Sequence, residues 1–134
     1  MKSIKKITSL AVIIAMMVLA LPVVVNAFEG GDGTEDSPYQ VSTPAQLDNV
    51  RNFLGAHFIQ INDIDMTAAT ADGEGWMPIG DYSDGFSGTY DGSEYKIIGL
   101  RTDRTDTPFV GLFGYVDGGT ITDCYNAGDI SSDL

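Results

Sequence analysis

Three rhythms of apolar and polar residues follow one another along the chain. Behind Lys2, Lys5 and Lys6, an apolar run extends from Leu10 to Leu21 and resumes after Pro22 as far as Val25. Phe28 to Ser37 is rich in Gly, Asp and Glu and reads as an irregular, solvated lead-in. Tyr39-Gln40-Val41 suggests a first short strand. Leu47, Val50, Phe53 and Leu54 then fall at helical spacing and give one face to bury. Thr43 sits where an N-cap belongs, Pro44 at the first helical position and Gln46 three residues after the cap. This capping-box pattern predicts a helix from Pro44 to about Leu54, stopped by Gly55.

After Gly55 the period shortens towards two. Short apolar runs bounded by Gly and Asp predict strands at His57 to Ile61, Ile64 to Met66, Gly85 to Tyr90, Tyr95 to Leu100, Val110 to Val116 and Thr120 to Tyr125. No further helix is indicated. Many short strands with turn signals suit a sandwich, a barrel or a coiled solenoid alike.

The first rhythm bears on location. A basic start, an apolar stretch and the small-residue ending Val25-Asn26-Ala27 are the layout of a secretory signal peptide, residues 1–27, with cleavage expected after Ala27. The run is short for a membrane anchor, which needs about 20 apolar residues, and it contains Pro22. No cysteine follows it, so lipid attachment is not indicated. The expected destination is extracellular or the cell surface.

Removing residues 1–27 changes the charge. Three of the seven basic residues leave and all nineteen acidic residues stay, so residues 28–134 carry four basic side chains and a net charge of −15. Such a surface repels nucleic acid phosphates and anionic head groups, which excludes nucleic acid as a partner and leaves the mature domain outside the membrane. Cys124 is the sole cysteine, so no intramolecular disulfide can staple the domain. An unpaired cysteine in an exported protein is open to an intermolecular bridge, but its place in an apolar strand reads as an inert, buried thiol.

A resemblance chooses among the β architectures. Val110-Gly111-Leu112-Phe113-Gly114-Tyr115-Val116, followed by Gly118-Gly119-Thr120-Ile121-Thr122-Asp123-Cys124-Tyr125-Asn126-Ala127-Gly128-Asp129-Ile130, resembles a GLUG-type repeat of bacterial and archaeal surface proteins. Upstream, Gly33-Thr34, Ser37-Pro38-Tyr39, Asn62-Asp63-Ile64-Asp65-Met66, Trp76-Met77-Pro78-Ile79-Gly80, Phe86-Ser87-Gly88-Thr89-Tyr90-Asp91-Gly92 and Tyr95-Lys96-Ile97 look like the lead-in that precedes such repeats. The resemblance implies an all-β fold, a right-handed parallel β-helix, with the short N-terminal helix capping the open end of the solenoid. Ile97, Leu100, Leu112, Phe113, Val116, Ile121 and Tyr125 would fill its stack. It also implies adhesin-like proteins, and arrays found beside peptidase domains that act on immunoglobulin A. Only one repeat is recognisable, so residues 28–134 are expected to be the N-terminal part of a longer array, or else to pair through the last coil with another chain.

The chemistry legible in the chain is sparse. His57 is the sole histidine, and neither His-Glu-x-x-His nor Gly-x-Ser-x-Gly occurs, so zinc peptidase and serine hydrolase chemistry lack their groups. Asp63 and Asp65 would share a strand face as a carboxylate pair does in glycoside cleavage. A cleft for an acidic polysaccharide would need more cations than Arg51, Lys96, Arg101 and Arg104. Asp32 to Asp36 and Asn62 to Asp65 offer oxygen ligands for calcium. Asp and Asn in turns more often bond their own backbone. Trp76, Tyr82, Phe86 and Tyr90 are either core or an exposed surface for sugar rings or proteins. The sequence therefore assigns no catalytic, cofactor-binding or metal residue, no cofactor, and no enzymatic activity. It predicts an exported interaction module with an unknown surface protein or glycan as partner, or the non-catalytic N-terminal segment of a larger secreted peptidase or polysaccharide-degrading enzyme.

Overall fold

The computed structural model describes residues 27–127. The signal-peptide reading of 1–27 falls almost wholly outside them, as does the end of the repeat-like segment from Gly128. Seven short strands occur among the described residues: β1 (Tyr39–Val41), β2 (His57–Gln60), β3 (Ile64–Asp65), β4 (Thr89–Asp91), β5 (Lys96–Ile98), β6 (Thr120–Thr122) and β7 (Tyr125–Ala127). Helix α1 spans Pro44–Asn49 and continues as a 3-10 turn over Val50–Asn52.

The strands form two parallel sheets, one in the order β1-β2-β4-β6 and the other in the order β3-β5-β7. In the first, Tyr39, Phe58, Tyr90 and Ile121 stand in register across all four strands. Tyr39 and Ile121 are half-buried and Phe58 and Tyr90 fully buried. Strand alternation sends His57, Ile59, Thr89 and Asp91 to the other face. In the second sheet the buried row is Ile64 and Ile97.

This corrects the fold expected from the resemblance. The described residues form two small sheets of four and three strands together with a helix. They do not form the uniform stack of an all-β, right-handed parallel β-helix. The reason lies in the segments between strands. Val110 to Val116 was expected to be a strand, yet its glycines and bends leave only single bridges, Ile79 to Phe113 and Phe86 to Val116. Residues 67–88 are held by turns and similar isolated contacts. Of the residues expected to fill a stack, Ile97 and Leu100 are buried, whereas Val116 and Tyr125 are 39% and 53% exposed.

The helix starts as its sequence dictates. Thr43 Oγ1 accepts the Gln46 N–H at 3.2 Å, and Gln46 Oε1 accepts the Ser42 N–H at 2.8 Å, the reciprocal arrangement of a capping box shifted by one residue. Leu47 and Val50 are fully buried, but Phe53 lies past the 3-10 turn and is 41% exposed.

The lead-in is not solvated throughout. Glu29 N–H donates to Gln40 O at 3.0 Å and Gln40 N–H to Gly30 O at 2.8 Å, so this segment pairs along the outer edge of β1. It carries Phe28 into the core, where its ring stacks on Tyr39 at 4.4 Å and meets Phe58 at 5.6 Å. The aromatic contacts continue from Phe58 to Phe86 and Tyr90, and from those two to Phe113. Phe28→Ala opens a cavity at one end of this series. It should lower unfolding stability by ~3 kcal/mol and Tm by more than about 10 °C, measured by chemical and thermal denaturation of the chain.

Candidate functional site

Of the four aromatic residues singled out in the sequence, three are structural. Trp76, Phe86 and Tyr90 are at most 4% exposed, whereas Tyr82 is 74% exposed. Tyr82 stands on the loop 80–85, whose ends are fixed by the fully buried Ile79 and Phe86. Ile79 N–H donates to Leu112 O at 2.9 Å and Gly114 N–H to Ile79 O at 2.8 Å. On the other side, Phe86 N–H donates to Tyr115 O and Asp117 N–H to Phe86 O, both at 2.9 Å. Within the loop, Asp81 Oδ1 accepts the Ser83 and Asp84 N–H groups at 2.8 and 2.9 Å, while Asp81 N–H donates to Asp84 O at 3.0 Å. This Asx-type turn presents Tyr82 at its tip.

Tyr82 packs edge-on against Phe109, with ring centroids 4.8 Å apart, and lies 5.1 Å from Tyr115. Phe109 and Tyr115 are themselves 6.2 Å apart, so the three rings form one mutually packed cluster. Gly80, with φ of 84°, lets the loop lie against the backbone of Tyr115: a Cβ there would fall 2.4 Å from Tyr115 O. Gly85 does the same for the ring, since a Cβ would meet Tyr115 Cδ1 at 2.8 Å. Tyr82 is one of the aromatic candidates of the sequence, whereas Tyr115 stands there only within the repeat-like segment and Phe109 is not singled out. Their separation of about thirty residues hides the cluster until the pairing of 79–86 with 112–117 is known.

Beside the cluster lies a cleft of about 500 Å³ lined in part by Arg51, Met77, Asp81, Asp84, Asp106 and Phe109. A second cleft of about 550 Å³ lies between α1 and residues 66–77. Its Trp76 is 4% exposed and covered by the Arg51 guanidinium 5.0 Å above the ring, so it offers no open aromatic face. The arginines are all engaged: Arg51 with Asp48 at 2.9 Å, Arg101 with Asp103 at 3.0 Å, and Arg104 with Glu74 and Asp106 at 2.9 and 3.3 Å. Among the described residues, Asp84 and Asp117 make no side-chain hydrogen bond or ion pair. The first cleft and its aromatic border are therefore negatively charged.

The other sequence candidates are scattered. His57 Nδ1 lies 2.8 Å from Thr89 Oγ1 on the outer face of the four-stranded sheet, lining neither cleft. Asp63 accepts the Lys96 N–H at 2.8 Å, and Asp65 the Thr67 N–H at 2.9 Å. The hydrogen bonds from Thr67 hold the Asp65 carboxyl below its ordinary range, as those from Thr34 do for Asp32. Both carboxylates are thus occupied in their own turns. Among the described residues no three His, Cys, Asp or Glu side chains gather as they would around a metal ion. No described helix is long and apolar enough to cross a membrane.

Cys124 follows β6, half-buried against the core beside a small apolar recess that includes Ile97, Leu100 and Phe113. Burial pushes its thiol up to about 11, with Asp91 and Asp123 adding to the rise. A thiol with that value carries about a hundredfold less thiolate at pH 8 than one titrating at 9.0. Disulfide-reagent labelling of the folded chain at pH 8 is expected to be slow, to accelerate as pH rises towards 11, and to become fast once denaturant unfolds it.

No family model matches the chain. Among characterised sequences it is 41% identical over 126 residues to a protein of Evansella cellulosilytica provisionally named a Gly-rich membrane protein, a match over 87% of this chain and 15% of that one. It is 35% identical over 97 residues to halomucin of Haloquadratum walsbyi, covering 65% of this chain and 1% of halomucin. The chain thus spans only a small part of the length of either relative. Among solved structures it is similar to a protein of Bacteroides ovatus provisionally described as an immunoglobulin A1 protease. That likeness has a TM-score of 0.64 and 25% identity, over 81% of this chain and 32% of the other.

Proposed function

We propose that this chain is an exported, non-enzymatic module of a cell-surface or secreted protein, adhesin-like in its use, which engages a protein or a carbohydrate outside the cell. The observation that carries this reading is the Tyr82 cluster: a large aromatic side chain held 74% exposed on a loop fixed at both ends. Tyr82 is the most exposed of the large apolar side chains among the described residues, the others being at most 53% exposed. The names of the relatives support a surface location, since one is called a membrane protein and the other halomucin. The basic and apolar start of the chain supports export, and the resemblance of Gly111-Leu112-Phe113-Gly114 to GLUG-type repeats fits the same setting. The acidic surface disfavours nucleic acid.

The likeness to the Bacteroides ovatus protein favours a second reading, in which the chain is the N-terminal, non-catalytic segment of a larger secreted peptidase or polysaccharide-degrading enzyme. Under both readings catalysis lies outside these residues, and the partner is a surface protein, a glycan or a further copy of the chain.

Export is tested by expressing the full chain in a bacterial host and determining the intact mass and N-terminus of the protein recovered outside the cytoplasm. The expected product begins at Phe28. A cytoplasmic product that keeps residues 1–27 would contradict the reading.

A further inference from the structure

We infer that the open edges of β6 and β7 form one docking surface, and that its occupant is the same pair of edges on a second copy of this chain. This deepens the reading of the chain as an exported interaction module, on which it rests for the setting of the contact, by choosing the further copy among that module's partners.

Strand pairing shows what such a surface takes. β4 and β5 pair in parallel with β2 and β3, and β6 and β7 pair in turn with β4 and β5. Each pair of consecutive strands is thus covered by another pair that offers one edge to each sheet. Among the described residues β6 and β7 have one neighbouring strand each. Thr120 N–H donates to Gly88 O and Gly92 N–H to Thr122 O, both at 2.9 Å, so these threonines face β4 and the N–H and C=O of Ile121 face outward. Gly99 N–H donates to Ala127 O at 3.4 Å, which turns Ala127 to β5 and Asn126 outward. A single extended peptide satisfies only one of these edges. A strand pair satisfies both, and the open pair that this molecule carries is β6 with β7. The outer edge of β1 is already closed by Glu29 and Gly30, which bond Gln40. A head-to-tail contact, which would run on into a filament, is thereby blocked, and the contact is two-fold and closed.

The side chains agree with this. Along the inner row of the four-stranded sheet Phe58 and Tyr90 are 1% exposed, but Ile121 on β6 is only half-buried. Leu112, Phe113 and Cys124 are half-buried too, and Tyr125 is open to solvent. They border an apolar recess of about 130 Å³ floored by Ile97 and Leu100. From Thr107 to Ala127 the only charged side chains are Asp117 and Asp123, whereas residues 28–106 hold most of the acidic residues and all four basic ones. Proteins blunt a free edge with charged side chains, and neither β6 nor β7 has one. Depletion of charge is also what marks the core of a protein interface. With −15 on residues 28–134, two copies repel each other at long range, and this weakly charged face is where they can meet. A cationic partner is drawn to the acidic surface elsewhere.

Sedimentation equilibrium of the protein recovered after expression of the full chain, from ~1 to ~500 μM, tests the contact. A dimer and no larger species is expected, tightening as sodium chloride rises from ~0.05 to ~0.5 M because salt screens the repulsion. Tyr125→Asp places two added charges in a two-fold contact and should weaken the dimer roughly tenfold or more. Ala71→Asp, the same charge added at an exposed residue outside this face, should change it less than about twofold. Asn126→Pro removes an outward N–H and no bond to β5, and should also weaken it. Hydrogen exchange needs no variant: the Ile121 and Asn126 amides should be protected at high concentration and lose that protection on dilution. A monomer at every concentration, assembly beyond the dimer, association unmoved by Tyr125→Asp, or association dissolved by salt would each overturn the inference. So would a monomer whose outward amides stay protected on dilution, since the chain then covers its own edges. A monomer that is nonetheless exported leaves the module reading standing with another partner, whereas a dimer retained in the cytoplasm would strike export and keep the contact.

Discussion

The side chain of Gln60 holds the two sheets of this protein together. It is fully buried in β2, in the four-stranded sheet. Its Nε2 donates to Asn62 O at 2.9 Å and to Lys96 O at 3.2 Å, the latter on β5 of the three-stranded sheet. Its Oε1 accepts the hydroxyl of Tyr90 at 3.2 Å from the next strand of its own sheet. One amide thus bonds two backbone carbonyls and one hydroxyl and ties the two sheets to each other. Burial, with a smaller contribution from the Cys124 thiol, raises the Tyr90 phenol far above its ordinary range, so the hydroxyl stays a donor at every physiological pH. Among the described residues no buried side-chain nitrogen or oxygen lacks a partner. A buried polar network is favourable only when it is complete.

Around that link the fold is built from aromatic contact more than from extended backbone pairing. The strands are two to four residues long, and strands so short do not order a chain by themselves. Phe28, Tyr39, Phe58, Phe86, Tyr90 and Phe113 supply the continuity, running from Phe28 through Tyr39 to Phe58 and then by way of both Phe86 and Tyr90 to Phe113. The irregular segments 67–88 and 99–119 are then free to lie outside the sheets, pinned by Thr70, Thr102 and the two arginines Arg101 and Arg104, which bond backbone oxygens across them. That division of labour places a rigid core beneath loops such as 80–85 and lets an exposed ring be held in one position.

Local chemistry was legible in the sequence and long-range pairing was not. The helix start at Pro44 is written in Thr43, Pro44 and Gln46, and strands at Tyr39, His57, Ile64, Lys96 and Thr120 follow from short apolar runs between turn residues. The helix end was misjudged because Phe53 and Leu54 keep helical spacing while the backbone has already tightened to a 3-10 turn at Val50–Asn52. Val110 to Val116 read as a strand because its apolar content is high, yet its glycines leave it with single bridges. The fold implied by resemblance was overturned because likeness in short motifs does not say whether successive segments make continuous sheets. At the candidate site, Tyr82 could be noticed but not placed, since its partners Phe109 and Tyr115 become neighbours only through tertiary pairing.

The claim that Gln60 joins the sheets is open to a double-mutant cycle on Gln60→Leu and Tyr90→Phe, read by chemical denaturation. Gln60→Leu keeps the volume and removes three hydrogen bonds, leaving the buried Tyr90 hydroxyl unpaired, so it should cost ~3 kcal/mol. Tyr90→Phe should cost ~1 kcal/mol alone, and the double variant should fall short of the sum by ~1 kcal/mol. A Gln60→Leu chain as stable as the parent, or two costs that simply add, would contradict the account.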